Sequence, residues 1–544
     1  MSHKLPILLL SSALALALPS AASAQTAVEQ IGVTQINTTL NQIATPSIKV
    51  PSVISPAAPP ATQPAIGDAG NPANPLNLPV SAPTPAYVAA LGTAQQSIQT
   101  GNYRQAQSQF EALVAQDYQN PQAHFGLGLA LFALADLQGA RFEFGQLTAL
   151  NPTGFEGPYN LGVVAARQGQ SAEALTQFAK AADLARGKVS VPVLRQILEA
   201  LAGEQARKSD YAALVVTLSE MVKNEPADLD LQYRQAQALA LGGQGTLALP
   251  VLYALRQKQP GNTDAALLTA NIYASQKLTD RAIRELDSAV QPAPDGSARA
   301  RLFLRKAELL AASGRVRDAV LSAQDAISAD SRNAPAQAEL GALRYARNDR
   351  PGALTAWKAA VALDPRNGLY LANQAVVELA LGQNAQAAAD AKQAATLSGD
   401  PLAVARAQFV LGVASYRKQD YAAARSALVS SSLKVPSGET SLWLGLSSYA
   451  LKDYGGAVTA LQDSLKLQPS AATQLSLGSA LISSGRYAEA ELVLRPLVVA
   501  NARNAEAWYQ LGLSRRALGR EAEATASFRT AASLGSVRAR SALK

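Results

Sequence analysis

Residues 505–538 read AEAWYQLGLSRRALGREAEATASFRTAASLGSVR. Within this stretch Gly512 stands twelve residues before Ala524, and Phe528 follows four later. The same arrangement recurs upstream. The alanine returns as Ala106, Ala140, Ala174, Ala248, Ala282, Ala319, Ala353, Ala387, Ala424, Ala457 and Ala490, at a period of about 34 residues. The small residue before it returns as Ala94, Gly128, Gly162, Ala236, Ala270, Ala307, Gly341, Ala375, Gly412, Gly445 and Gly478. A fixed period of this size marks an array of one supersecondary unit, each copy burying its apolar face against the next.

Two helices per unit account for the spacing. Counting the first small residue as position 8 places the alanine at position 20 and a bulkier residue at position 24. That last site holds Phe110, Phe144, Phe178, Leu252, Leu286, Trp357, Leu428, Leu461, Leu494 and Phe528. Glycine inside a helix costs about 0.5–1 kcal/mol, so its repeated use at position 8 points to a second helix that approaches closely. Gly101-Asn102, Gly169-Gln170, Gly314-Arg315, Gly382-Gln383, Gly485-Arg486 and Gly519-Arg520 fall where the first helix ends, as expected of left-handed caps. Pro152, Pro226, Pro260, Pro294, Pro365, Pro436 and Pro469 close the second helix. Pro250 and Pro496 fall inside predicted second helices and are expected to kink them. The period stretches to 40 residues between Ala174 and Leu214, and to 37 near residues 296 and 400. The additional residues are expected in loops between hairpins.

Ala507-Trp508-Tyr509-Gln510-Leu511-Gly512, followed by Gly519-Arg520 and by Ala524, Phe528 and Ala531, resembles the tetratricopeptide repeat. The resemblance runs over residues 87 to 540 in thirteen units. It implies an all-α fold, a right-handed α-solenoid superhelix of about thirteen helix-turn-helix repeats. It also implies that partners bind the inner face, lined by positions 2, 5, 9, 12 and 13 of the first helix. On this chain those positions include Phe125, Phe132, Tyr159, Arg167, Arg207, Tyr233, Tyr345, Phe409, Tyr416, Arg417, Tyr449, Tyr509 and Arg516. Such a mixture of aromatics and arginine suits an extended peptide; the alternative is that several of the tyrosines pack between helices. The family's clamp for a chaperone's C-terminal carboxylate would fall on Phe125, Leu129, Asn160, Gln196 and Ala200, of which only the asparagine fits.

Composition agrees with a long, thin core. The chain has 48% hydrophobic but only 5% aromatic and 16% charged residues, so alanine and leucine build most of the interior. Residues 87–544 read as one repeat domain with a C-terminal capping helix.

The first 24 residues differ. Lys4 precedes the apolar run from Leu5 to Leu18, and Ala22-Ser23-Ala24 follows, the pattern of a cleaved secretory signal. The run is short for a membrane span, so the mature chain is expected to hold no transmembrane segment. Residues 25–86 read as a linker: eleven prolines between Pro46 and Pro85 favour an extended chain. Val33, Ile36, Leu40 and Ile43 have helical spacing and would suit one short helix that docks on a partner or on the groove. These features place the protein outside the cytoplasmic membrane, in a bacterial periplasm or beyond it.

Catalytic chemistry has little support. Absence of cysteine removes thiol catalysis and cysteine-held metals, and His124 is the only histidine after the signal. It occupies position 4, where an aromatic packs in the resembled family, and is expected to pack likewise. Glu308, Glu339 and Glu378 are spaced as solvated helix residues. Gly126-Leu127-Gly128 is similar to the start of a nucleotide-binding run but lacks a preceding strand and belongs to the repeat grid. Neither cofactor nor metal is expected. The formal charge of +8 is spread among acids rather than gathered into a nucleic-acid face. The expected function is a non-catalytic scaffold or assembly factor of the cell envelope that binds other proteins. An accessory role in surface-polysaccharide export, with acidic envelope polymers as partners, is the alternative, and a carboxylate hydrolase a third.

Overall fold

The computed structural model describes residues 84–543, and all of the regular structure among them is helical, in 27 helices. The expected export signal and nearly all of the proline-rich linker lie outside the described residues. Helix α1 starts at Pro85 behind the cap Thr84, two residues before the expected start of the repeats.

Two compact units divide the chain at residue 293. In the N-terminal unit the hairpins are α1 (Pro85–Gln99) with α2 (Tyr103–Gln116), α3 (Pro121–Ala133) with α4 (Leu137–Leu150), and α5 (Glu156–Arg167) with α6 (Ser171–Ala185). They continue as α7 (Val191–Arg207) with α8 (Tyr211–Asn224), α9 (Leu229–Leu241) with α10 (Gly245–Lys258), and α11 (Thr263–Ser275) with α12 (Thr279–Val290). The C-terminal unit begins with α13 (Gly296–Ala312) and α14 (Val316–Ala329), then α15 (Ala334–Ala346) and α16 (Arg350–Leu363). Next come α17 (Gly368–Ala380) with α18 (Asn384–Leu397), and α19 (Pro401–Arg417) with α20 (Tyr421–Lys434). The last hairpins are α21 (Gly438–Ala450) with α22 (Tyr454–Leu467), α23 (Ala471–Ser483) with α24 (Tyr487–Ala500), and α25 (Ala505–Ala517) with α26 (Glu521–Ser533). A short α27 (Val537–Ala542) covers the end. This makes thirteen hairpins, the number in the repeat grid.

Local chemistry starts and stops these helices. Asn262, Asn333 and Asn504 cap first helices, each Oδ1 accepting the N–H three residues on at 2.9–3.0 Å. Asp136, Asp349 and Asp453 do the same for second helices at 2.9–3.0 Å. Each such cap contributes about 1 kcal/mol. Every hairpin turn places one residue in the left-handed region. Glycine fills it at Gly101, Gly169, Gly243, Gly314, Gly382, Gly485 and Gly519, with φ of 74–80°. Ala135, Ser209, Lys277, Asn348, Gln419 and Lys452 fill it elsewhere, with φ of 57–65°. A side chain there costs about 1–2 kcal/mol, so the turn is imposed by the packing of its two helices where glycine does not ease it.

The lengthened periods are not taken up in loops, contrary to expectation. They lengthen first helices: α7, α13 and α19 have 17 residues each, where α3 and α15 have 13. One added turn of about 3.6 residues keeps the apolar stripe in phase, whereas a loop insertion would leave more backbone to order. The weakly patterned fourth unit forms α7 and α8 in full, and α10 and α24 run through Pro250 and Pro496.

The grid is where the helices touch. All twelve of the alanines at position 20 have no exposed surface. A Cβ added to Gly128 would lie 2.5 Å from Cε1 of Phe144, and one at Gly512 2.5 Å from Cε1 of Phe528. Gly162 faces Phe178, Gly341 faces Trp357, and Gly412, Gly445 and Gly478 face Leu428, Leu461 and Leu494. Position 8 is therefore the seat for position 24 of the same hairpin. Phe110 departs from this rule. Ala94 occupies its position 8, and its ring lies instead on Gly126 of the following hairpin.

Candidate functional site

First helices of successive hairpins pack against each other in both units, as α1 does with α3, α17 with α19, and α23 with α25. Within each unit their outward positions recur in the same helical phase from hairpin to hairpin and so form a row. This row carries the side chains expected to meet a partner.

In the N-terminal unit most of them are already engaged. Phe125 is half-buried with its ring 6.5 Å from that of Phe144, and Tyr159 is half-buried 5.8 Å from Phe178. The Tyr159 hydroxyl accepts from Gln196 Nε2 at 3.1 Å, and burial raises its pKa. Phe132 packs on the core of its neighbours, and Tyr233 donates to the Asp264 carbonyl at 3.5 Å. Arg207 pairs with Glu204, while Arg167 is exposed. Position 5 thus acts as a second layer over the position-24 plug.

The C-terminal unit sorts the same set differently. Tyr345 and Phe409 are buried at 6% and 8% exposure and offer little surface to anything outside. Burial, then Glu439, pushes the Tyr345 hydroxyl up to about 12. Tyr509 rests 5.9 Å from Phe528, and Arg538 covers its ring at 4.8 Å. Arg516 stacks 4.5 Å over Phe528 and donates to the Ala542 carbonyl at 2.7 Å. Arg417 donates to the Leu379 carbonyl at 2.9 Å and to Asn384 Oδ1 at 2.6 Å. Tyr416 and Tyr449 are half-buried, as Phe125 and Tyr159 are, and each keeps part of its surface accessible. Tyr416 meets Tyr421 and Trp443 edge-on, both at 5.2 Å, and Tyr449 lies 5.4 Å from Tyr454 with its hydroxyl 3.0 Å from Ser483 Oγ. These two tyrosines combine accessible aromatic surface with a fixed ring, the combination favoured in interface anchors.

His124 is fully buried. Its Nδ1 lies 2.5 Å from Glu143 Oε2, its Nε2 2.8 Å from the Tyr118 carbonyl, and its ring edge-on to Tyr118 at 4.9 Å. It packs, and it also satisfies a buried carboxylate, which the sequence reading missed. Asn160, the one residue suited to a carboxylate clamp, donates to the Glu156 carbonyl at 2.7 Å and is buried. Gly126 and Gly128 seat phenylalanine rings rather than phosphate. Among the described residues no group of three metal-ligating side chains gathers, and no helix is long and apolar enough to cross a membrane.

The acids expected to be solvated are not. Glu378 has no exposed surface, and Glu308 and Glu339 are half-buried. Gln374 Nε2 bridges Glu378 Oε1 at 3.0 Å and Asp390 Oδ2 at 2.7 Å. Loss of hydration pushes Glu378 up to about 7, with Asp390 adding to the rise. Loss of hydration and then Glu308 push Glu339 to about 7, and burial does the same to Glu439. Helix periodicity could have placed Gln374 and Glu378 on one face, but only packing against α18 turned that face inward.

All three acids favour the protonated folded state. Their stabilising contribution is complete below the ordinary value of 4.5, and is lost as pH rises to about 7. The melting temperature of the C-terminal unit is therefore expected to fall across that window and flatten above it. Glu378→Gln should reduce the slope in a thermal-melt series; an unchanged profile would mean that the buried acids do not titrate with folding.

Comparisons with known proteins agree with this architecture. A family model described as tetratricopeptide repeat matches residues 93–155, 373–439 and 475–539, and a second model of that description matches residues 239–307. No curated protein matches the chain. Among solved structures, the anaphase-promoting-complex hetero-tetramer Cut9–Hcn1 is similar over 83% of this chain and 94% of its own, with 14% identity and a TM-score of 0.37. Naa15/Naa10 bound to HypK-THB is similar over 82% and 75%, with 14% identity and a TM-score of 0.41. At that level of superposition neither relative says what this chain binds. Tetratricopeptide repeats therefore make up these four stretches of an all-α solenoid, an architecture that supports protein–protein interaction.

Proposed function

We propose that this protein is a non-catalytic scaffold of the cell envelope, exported by its N-terminal signal, that holds extended segments of partner proteins along its rows of first helices. The observation that carries the reading is the pair of partly accessible, ring-braced tyrosines, Tyr416 and Tyr449, on neighbouring first helices of one row. Braced aromatic rings lose little side-chain freedom on binding, so their contact area contributes to affinity with small entropic loss.

The test is affinity capture from an envelope extract with the full chain and with Tyr416→Ala plus Tyr449→Ala. Specific proteins retained by the parent should be lost from the double variant by about tenfold or more, since hot-spot aromatics contribute about 2 kcal/mol or more each. Circular dichroism and the melting curve check that the variant keeps its helices. Capture of the same proteins at the same yield by a folded variant would overturn the reading.

A further inference from the structure

The edge of the C-terminal unit where first helices turn into second helices holds a shallow cavity of about 760 Å³. Three hairpins build it. Lys358 comes from α16, Gln383 and Gln386 from the turn into α18, and Arg417 and Lys418 from the end of α19. Lys358, Arg417 and Lys418 are exposed, and none forms an ion pair with a carboxylate among the described residues. Other arginines of this unit do meet carboxylates, as Arg425 meets Asp453 at 3.0 Å and Arg515 meets Glu491 at 3.0 Å.

The nearby acid is in no position to neutralise these three. Glu378 feels the charge of Lys358 but has no exposed surface, and Gln374 already donates to it. Three like charges around one concavity repel one another, and a concave surface focuses their field on whatever enters. Arg417 is tied to Leu379 and Asn384 through one terminal nitrogen, which holds the guanidinium in place and leaves other N–H donors for a ligand. Gln383 adds a side-chain amide that is both donor and acceptor, and Gln386, whose Nε2 already donates to Asp390 Oδ1 at 2.8 Å, adds a carbonyl oxygen, both suited to peptide groups. Asp420, two residues past Lys418, is exposed. Three cations around one concavity match the charge of a short acidic segment. The volume falls within the range of about 300–1,000 Å³ typical of ligand pockets.

We propose that this cavity docks a short, acidic, extended segment of a partner protein, whose Asp or Glu carboxylates meet Lys358, Arg417 and Lys418 while its backbone pairs with Gln383 and Gln386. The site meets the row of first helices at Arg417, the last residue of α19, but does not require Tyr416 or Tyr449 to bind anything.

The test uses the full chain and a fluorescently labelled hexaglutamate peptide followed by anisotropy. The cavity variant is Lys358→Gln plus Lys418→Gln, which leaves the structurally tied Arg417 in place. A matched control, Lys180→Gln plus Lys208→Gln, removes the same charge from exposed sites in the other unit. Parent and control should bind alike, with affinity falling as salt rises, and the cavity variant should bind about tenfold more weakly. Equal binding by cavity and control variants, or no binding by the parent, would overturn the proposal. So would displacement of the peptide by millimolar phosphate, which marks a site for small anions, or tighter binding of a polyuronate with the same loss in the cavity variant, which marks a polymer site. Tyr416→Ala plus Tyr449→Ala should bind this peptide as the parent does, so failure of the scaffold reading and failure of this one are read separately.

Discussion

Phe144→Ala is expected to destabilise the N-terminal unit by about 3–5 kcal/mol, the usual loss for truncating a fully buried aromatic. The ring has 1% exposure, sits against Gly128 and lies 6.5 Å from Phe125. No neighbour can fill the space, because position 8 beneath it has no side chain. Phe142, two residues earlier on α4, is 56% exposed, and Phe142→Ala should change stability by less than about 0.5 kcal/mol. Urea denaturation of the two variants measures the difference. In an array each hairpin couples mainly to its neighbours, so the loss should appear first in α3–α6, where hydrogen exchange would locate it. Losses of equal size for Phe142 and Phe144 would contradict the placement of the plug.

The converse substitution, Gly478→Leu, is expected to cost about 1–3 kcal/mol by overpacking. Its Cβ alone would lie 2.6 Å from Leu494 Cδ2 and 3.1 Å from Gln510 Oε1 of the next hairpin, so both the hairpin and its stacking must yield. Gly455, on α22, has open space around a built Cβ. Leucine there should be neutral or slightly stabilising, because it removes the helix penalty of glycine. Thermal melts of Gly478→Leu and Gly455→Leu make the comparison, and equal shifts would remove the close-packing account. A repair is also available. Ala307 with Ala323 and Ala375 with Ala391 show position 8 and position 24 both as alanine, so Gly478→Ala combined with Leu494→Ala should recover part of what Gly478→Ala alone loses.

Most of the architecture was legible because its determinants are local. The 34-residue period, the twelve-residue step between small residues and the glycine turns depend on helix phase within a single hairpin. Gly101, Gly169, Gly314, Gly382, Gly485 and Gly519 all adopt the left-handed conformation expected of them. The lengthened periods were misplaced for a reason of energy: a stretch of sequence without turn residues gives no sign of whether it will loop or add a helical turn, and packing favoured the turn in α7, α13 and α19. The side chains expected to face a partner were harder to place. Position 5 was assigned outward by resemblance, yet Phe125, Tyr159 and Tyr509 lean on the plugs beneath them, since a half-buried ring next to a buried one gains more apolar contact than a solvated one.

From its residues alone this chain specified thirteen two-helix units, their closing turns and the close approach of the two helices within each hairpin. Folding decided what lies between hairpins. Phe110 crosses to Gly126, and Lys358 from one hairpin converges with Arg417 and Lys418 from another on one cavity. A repeat period states which positions are equivalent, but it does not state how one hairpin rotates on the next. That rotation is set by the summed packing of unlike side chains, and it determines which charged groups are buried, paired or left facing outward.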